Sequence, residues 1–168
     1  MAGLANRPII RPLEANDLEP AASIIAQCLD GDVAPQLTLL ERRFARGTTD
    51  SVLLVAELGR RVVGVARVAY FEPAPDAPKN AAPPGWYLLG VNVDPAYRRR
   101  GVGTALTLER LAIIMKHASV AWFFTDASNQ ASIALHEALG FKPQSRDFWF
   151  PTATFANDEG ILFSLTLG

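Results

Sequence analysis

Residues 91–106 read VNVDPAYRRRGVGTAL, and the architecture of the chain can be inferred outward from this segment. The apolar run WYLLGVNV that leads into it predicts a strand, and the apolar periodicity from about Gly101 to His117 predicts a helix. Gly101 and Gly103 lack a Cβ atom, so the backbone between strand and helix can turn tightly and approach a ligand closely. The segment is therefore a strand, a glycine turn and a helix start.

This turn has the features of an anion-binding site. The first N–H groups of a helix have no intrahelical partners and lie at the positive end of the helix dipole. Three consecutive arginines add formal charge beside them: Arg98, Arg99 and Arg100. A phosphate or pyrophosphate suits such a helix start. The plainer alternative is a basic helix start whose glycines only permit a tight turn.

The patterns on either side predict an α/β protein with a mixed sheet. A short strand at Ile9–Pro12 precedes two helices, the first capped by Asn16 or Asp17 and closed by Gly31, the second ending at Gly47. The valine-rich runs SVLLVAEL and RVVGVARVAYF predict a hairpin, and the proline-rich EPAPDAPKNAAPPG predicts an exposed loop. After the central segment, SVAWFF predicts a strand, QASIALHEAL a helix, and FKPQSRDFWF and GILFSLTL the last two strands.

Residues that other phosphate-binding motifs require are missing here, which excludes some classes of ligand. A dinucleotide-binding fingerprint requires a third glycine where Leu106 stands, and a P-loop requires a lysine and a hydroxyl residue after its second glycine. What remains, Arg98 to Gly103, resembles the R-x-x-G-x-G/A signature of the GNAT superfamily of acyl-CoA-dependent N-acetyltransferases. The preceding Val93–Tyr97 is also similar to the usual lead-in of that family.

A second segment carries the same resemblance. DASNQASIALHEALGF, residues 126–141, resembles the later motif of the family, in which an asparagine opens a helix that ends in L-G-F. Here the asparagine is Asn129, and the helix runs into Leu139-Gly140-Phe141. Gly140 also suits the left-handed conformation that ends many helices.

The resemblance implies a fold and an activity. The fold is a GNAT-like single domain over residues 1–168, with a mixed central sheet of about seven strands, about four flanking helices and a splay between the fourth and fifth strands. The activity is transfer of an acetyl group from acetyl-CoA to a primary amine of a small molecule or peptide, by direct attack in a ternary complex. A non-catalytic acetyl-CoA sensor is the alternative.

The resemblance also assigns cofactor contacts. Backbone groups of the splayed strand would bond the pantetheine arm and the thioester, and the Val93 N–H would stabilise the developing oxyanion. Asn129 and Ser132 would meet the cofactor from the later helix. The remaining predicted contacts are the other pantetheine residues, Val91 and Asn92, and the pyrophosphate residues Arg98, Arg99, Arg100, Gly101, Val102, Gly103, Thr104 and Ala105.

Two residues of this chain depart from the family pattern. His136 stands where many members have a tyrosine that protonates the leaving thiolate; an imidazole can do the same, although a surface histidine at a helix end is the alternative. Tyr87 and Phe124 stand where members often carry a glutamate base. Asp126, Glu72 or a chain of water molecules would then take the proton, and for Asp126 a loop-capping role is the more natural interpretation.

The composition of the chain limits the classes of partner that are expected. The chain has 168 residues, a net charge of −1 and 49% hydrophobic residues, so it lacks the basic excess typical of nucleic-acid binding. No apolar run approaches the roughly 20 residues of a membrane span, and the N-terminal segment lacks a signal-peptide profile. One cysteine, Cys28, and two histidines indicate a reducing compartment and no metal site. We expect a cytoplasmic protein that is soluble; dimers are common in families of this type.

Overall fold

The computed structural model describes residues 7–168. Residues 1–6, part of the segment expected not to be a signal peptide, lie outside it. The strands are β1 Ile9–Pro12, β2 Ser51–Leu58, β3 Arg61–Phe71, β4 Gly85–Val93, β5 Val120–Asp126, β6 Lys142–Ser145 and β7 Gly160–Thr166. The helices are α1 Leu18–Leu29, α2 Val33–Arg46, α3 Val102–Met115 and α4 Gln130–Ala138. Their order along the chain confirms the predicted sequence of strands and helices.

The seven strands form a sheet in the order β1-β2-β3-β4-β5-β7-β6. β4 and β5 are parallel, whereas β1–β2, β5–β7 and β6–β7 are antiparallel, so the predicted mixed sheet is confirmed. β4 pairs with β5 from Trp86↔Ala121 to Leu88↔Phe123, although β4 itself continues to Val93. The predicted splay therefore begins after Leu88.

The described residues form two compact units. The first contains the chain up to Val68 together with Gly90–Arg110, and the second contains Ala69–Leu89 and Leu111–Gly168. In the first unit α1 and α2 pack on one face of β2 and β3. Its core there contains Leu13, Ala21, Ala22, Ile24, Leu40, Val55 and Val65. The prediction of a single domain over residues 1–168 stays a prediction.

The second unit has an aromatic core. Tyr87 is fully buried and its ring lies 5.2 Å from that of Phe150. Its hydroxyl donates to the Pro83 carbonyl at 2.6 Å. The partly buried rings around it are Phe71, Trp122, Phe124, Phe148 and Phe150. Trp149, by contrast, is exposed.

Two predicted boundaries were wrong. Asp30, not Gly31, is the left-handed residue that ends α1, with a φ of 53°. The sixth strand ends at Ser145 instead of continuing through FWF, because Trp149 pairs with the proline-rich loop: its N–H donates to the Asn80 carbonyl at 2.8 Å. Among the helices of residues 7–168, none has the length and apolar character to cross a membrane.

Candidate functional site

The end of β4 is fixed to its neighbour strand by Asp94. The Asp94 N–H donates to the Val63 carbonyl at 2.8 Å, and its carboxylate accepts from the Ala96 N–H at 2.9 Å. The same carboxylate lies 3.5 Å from Arg61. Asp94 is 8% exposed, so these contacts hold a nearly buried charge at the point where the strand turns.

The turn that follows contains two left-handed residues. Arg99 has a φ of 59° and Gly101 a φ of 78°. A Cβ atom at Gly101 would meet nothing within 4 Å, so backbone conformation and not space favours glycine there. Left-handed residues in a turn direct successive N–H groups to one side, which makes a concavity for an anion. The backbone of the turn thus has a shape that suits an anion, and its role in binding a phosphate stays a prediction.

The helix α3 begins directly after this turn. Its first hydrogen bond runs from the Ala105 N–H to the Gly101 carbonyl at 2.9 Å. The N–H groups of Val102, Gly103 and Thr104 precede this bond, so they are the donors that an α-helix leaves available at its N-terminus. The positive end of the helix dipole adds to their effect on an anion.

The three arginines of the turn are exposed. Arg98 is partly anchored, since its Nε donates to the Val93 carbonyl and its Nη2 to the Cys28 sulfur, both at 3.4 Å. The guanidinium of Arg100 lies 5.3 Å from the centre of the Tyr97 ring. None of the ion pairs within residues 7–168 involves these arginines, so their charge is available to a ligand.

Gly64 of β3 allows α3 to pack closely and was missed in the sequence. A Cβ atom there would lie 3.0 Å from side-chain atoms of both Val102 and Leu106. The start of α3 therefore rests on a strand position where a side chain would push it away. An isolated glycine within a valine-rich strand was the available signal.

Arg110 was also missed. It is 1% exposed and lies in α3, where its Nη1 donates to the carbonyls of Arg67 at 3.3 Å and Gly90 at 3.2 Å. Its Nη2 donates to the Thr107 hydroxyl at 2.9 Å. Burial lowers the pKa of Arg110 to about 9. Gly90 has a φ of 70° and stands where β4 leaves β5, so Arg110 ties α3 to the origin of the splay.

The pantetheine segment predicted from the resemblance follows Gly90. Val91, Asn92 and Val93 are all half-buried. The Val93 carbonyl accepts from the Cys28 thiol and from Arg98, each at 3.4 Å. The role predicted for the Val93 N–H and for its two neighbours stays a prediction.

The later motif lies in the second unit. Asn129 is the N-cap of α4, and its side-chain oxygen accepts from the Ser132 N–H at 3.2 Å. Asn129 is exposed and Ser132 half-buried. Gly140 has a φ of 98°, which confirms a left-handed residue after the helix. The predicted contacts of Asn129 and Ser132 with a cofactor stay predictions.

His136 is buried, so the surface alternative was wrong. Its exposed fraction is 0%, and its ring stacks on Phe123 with 3.5 Å between ring centres. Phe141 packs against it edge-on at 5.4 Å. His136 Nδ1 lies 2.8 Å from the Ser132 carbonyl, and since a carbonyl only accepts, Nδ1 carries a proton. The role as proton donor to the thiolate stays a prediction.

The candidate bases differ in their surroundings. The Asp126 carboxylate accepts from the Ser128 hydroxyl at 2.6 Å and from the Ala156 N–H at 2.6 Å. These bonds, led by that of Ser128, lower the pKa of Asp126, which is the wrong direction for a group that must take up a proton. Its predicted loop-capping role is therefore the better interpretation. Glu72 is exposed and accepts from Tyr70 at 2.9 Å.

The model of the acetyltransferase (GNAT) family matches residues 20–141 of this chain. The chain belongs to the GNAT acetyltransferase family. The match includes both segments whose geometry is described above. Within residues 7–168, no group of three His, Cys, Asp or Glu side chains is placed to hold a metal ion.

Curated relatives of this GNAT chain are similar over part of their length. The ribosomal protein bS18-alanine N-acetyltransferase of Escherichia coli is 40% identical over 83 residues, which is 48% of this chain and 55% of that protein. An aminoglycoside N(6')-acetyltransferase of Acinetobacter baumannii is 39% identical over 66 residues, 38% of this chain and 44% of that protein. The chain thus spans about half the length of the curated relatives it matches.

A solved structure extends the likeness to nearly the whole fold. An acetyltransferase from Salmonella typhimurium, solved with its cofactor acetyl-CoA, superposes with a TM-score of 0.70 over 97% of this chain and 95% of that chain. The two sequences are 20% identical, so the likeness concerns the fold alone.

Proposed function

We propose that this GNAT-family chain transfers an acetyl group from acetyl-CoA to a primary amine of a small molecule or peptide. The observation that carries the proposal is the turn of residues 98–105, where left-handed backbone, a helix start and three exposed arginines coincide. This combination suits the pyrophosphate of coenzyme A. The names of the two relatives indicate both acceptor types, a protein alanine and an aminoglycoside.

The proposed reaction is a direct transfer. The neutral amine nitrogen attacks the thioester carbonyl carbon, the C–S bond breaks, and coenzyme A leaves as a thiolate. One proton from the substrate ammonium group reaches solvent when the amine is deprotonated, and the nitrogen loses a second as the amide forms. A proton from His136 is proposed to reach the sulfur, and the second proton lost by the nitrogen then replaces it on His136. The Val93 N–H would stabilise the oxyanion during the attack.

Acetyl-CoA would bind along Val91–Val93 and at the pyrophosphate turn, with Asn129 and Ser132 as further contacts. The alternative, a non-catalytic acetyl-CoA sensor, is favoured by one observation. Asp126 is held by Ser128 and Ala156 and has a lowered pKa, and Tyr87 donates to a carbonyl, so neither serves as a base. Cytoplasmic location and a homodimer remain part of the proposal.

Thiol release from acetyl-CoA across a library of amines tests the activity. We expect the wild-type protein to release coenzyme A with at least one amine. The Gly103→Val variant should bind coenzyme A at least tenfold more weakly in calorimetry, because a branched side chain crowds the backbone that approaches the pyrophosphate. Glu109→Gln, an exposed change in α3, is the matched control.

The two measurements separate the hypotheses. Unchanged affinity of Gly103→Val with an unchanged thermal unfolding curve would contradict the pyrophosphate assignment. Coenzyme binding without thiol release from any amine would favour the sensor.

A further inference from the structure

Three arginines of the first unit are here called the arginine cluster: Arg43 and Arg46 in the last turn of α2, and Arg67 in β3. Leu40 of α2 and Val65 of β3 pack in the same core, and Arg43 and Arg67 follow them on the same faces of the helix and the strand. Burial, followed by the positive charges of Arg43 and Arg46, lowers the pKa of Arg67 to about 10. Burial also lowers the pKa of Arg43. The cluster therefore concentrates positive charge in a partly desolvated place.

The protein supplies little negative charge to the cluster. None of the ion pairs of the described residues includes a member of it. Asp50 acts on Arg67 with the weakest of the charge effects, and the Arg67 Nε donates to the neutral Ser51 hydroxyl at 3.2 Å. Bringing like charges together out of water is unfavourable unless an anion compensates them. A structural role alone would be served by a carboxylate partner or by an apolar side chain.

The position of Arg67 relates the arginine cluster to the proposed pantetheine segment, Val91–Val93. Arg110 Nη1 bonds the carbonyls of both Arg67 and Gly90, so these two backbone positions lie side by side. Gly90 immediately precedes Val91, the first residue of the proposed pantetheine segment. Arg67 thus lies beside the part of β4 where the acetyl group would be presented.

The cluster is separate from the pyrophosphate turn. Val63, whose carbonyl bonds the N–H of Asp94 at the turn, stands four residues before Arg67 in β3. At about 3.3 Å per residue, this corresponds to roughly 13 Å along the strand. Val65, between them, packs in the core with residues of α1 and α2, so Arg67 lies on the same face of β3.

We propose that the arginine cluster binds a carboxylate or phosphate group of the acceptor, so that the acceptor is an amine that also carries an anion. Arginine suits both groups because its guanidinium offers several donors in one plane. The inference rests on the proposed acetyl transfer and selects among acceptors. It disfavours polyamines and aminoglycosides, whose several ammonium groups would be repelled by the cluster.

Anion binding is tested without catalysis. Inorganic phosphate is titrated into the protein with saturating coenzyme A, which occupies the pyrophosphate turn, while the Nε–H resonances of the arginines are followed by NMR. We expect the Arg67 resonance, identified by its loss in Arg67→Gln, to shift with phosphate. The affinity should fall about tenfold in Arg46→Gln and be unchanged in Arg42→Gln, an exposed control in the same helix. No shift, or equal affinity in Arg46→Gln and Arg42→Gln, would overturn the proposal.

Acceptor preference is tested with amines that have a similar chain length and differ in the group at the other end of the chain. We compare kcat/KM for 4-aminobutyrate, 3-aminopropylphosphonate, 4-aminobutanamide and putrescine. For each further amine that the thiol-release library identifies, we compare the compound with a carboxylate end and the compound with an amide end. The anionic member of each pair should be preferred at least tenfold, and Arg67→Gln should bring the pair close to parity with the KM for acetyl-CoA unchanged. The carboxylate and phosphonate compounds distinguish the two kinds of anion. Preference for putrescine or the amides would overturn the proposal.

The experiments distinguish failure of the proposed acetyl transfer from failure of the proposed anion site. If no amine releases thiol while phosphate still shifts the Arg67 resonance, the acetyl transfer fails and the anion site remains. If amines are acetylated without regard to an anionic end, the transfer stands and the arginine cluster has no role in acceptor choice.

Discussion

His136 combines a structural contact with a proposed chemical role. Its ring is stacked on Phe123, and its Nδ1–H donates to the carbonyl of Ser132, the residue one turn earlier in α4. These contacts fix both the orientation of the ring and the position of one proton. A fixed imidazole is well suited to proton transfer, because its other nitrogen is held in one direction.

Replacing His136 by phenylalanine separates the two roles. Phenylalanine retains the stack but carries no transferable proton, so we expect kcat to fall by about 10²–10⁴-fold with an unchanged Kd for coenzyme A. The alkaline limb of the pH–rate profile should change, and His136→Tyr should recover part of the rate. His117→Phe is the control, since His117 is exposed and stacks on Trp86 at 4.9 Å. Full turnover of His136→Phe at saturating substrate would show that the histidine only packs.

Among the elements, β4 is the one whose local geometry matters most for the proposed site. Its first part pairs with β5, and its last part carries Val91–Val93. Gly90 separates the two parts with a left-handed backbone, and its carbonyl is held by the buried Arg110. The direction of Val91–Val93 is thus set by one backbone conformation and one long side chain from α3.

Two glycine substitutions test this interpretation of β4. Gly90 and Gly59 both have left-handed backbones, with φ of 70° and 54°, and neither has an atom closer than 3.9 Å to an added Cβ. Alanine at either position should therefore lower the free energy of unfolding by about 1 kcal/mol through backbone strain alone. Only Gly90→Ala should also weaken coenzyme A binding, which calorimetry measures against Gly59→Ala. Equal affinities of the two variants would mean that the left-handed backbone at Gly90 does not orient Val91–Val93.

At the scale of the whole molecule, stability depends on a charged group that joins β1, β2 and the start of α1. Arg11 pairs with Asp17 at 2.7 Å and with Glu57 at 2.9 Å. The hydrogen bonds from Arg11 are the largest cause that lowers the pKa of Asp17. A carboxylate whose pKa is lower in the folded than in the unfolded state stabilises the fold above the unfolded value and loses that contribution as the pH falls through the folded value.

This network predicts an acid-dependent loss of stability. The unfolded pKa of Asp17 is near 3.8 and its folded pKa is lower, so its contribution to stability should be complete above about pH 5 and should be lost progressively as the pH falls below 3.8 through the folded value. Asp17→Asn should lower the free energy of unfolding by about 1–3 kcal/mol at pH 7, because the charged hydrogen bonds are lost. Urea unfolding of the wild type and of Asp17→Asn between pH 3 and 7 measures the difference in their free energies of unfolding. This difference should become smaller in acid. A difference independent of pH would assign the effect to shape and not to charge.

The sequence alone determined the order of strands and helices and the position of the glycine turn between β4 and α3. These features depend on residues that are neighbours in the chain: the periodicity of α3, the cap of α4 at Asn129 and the left-handed backbone at Gly101. Local steric and hydrogen-bonding preferences set them, so a short window of sequence contains the information. The family signature at Arg98–Gly103 is also a local feature, because the anion site proposed there would be made of backbone N–H groups that are neighbours in the chain.

Only the tertiary structure decided which distant residues meet. Arg110 looks like one more polar residue of α3 until its guanidinium is found on the carbonyls of β3 and β4. Arg43 and Arg67 stand 24 positions apart in the sequence and come together only when α2 packs on β3. His136 is buried by Phe123 and Phe141, and β6 ends early because Trp149 pairs with the loop before β4. Each of these depends on burial and on partners remote in the chain, whose energies no local pattern records.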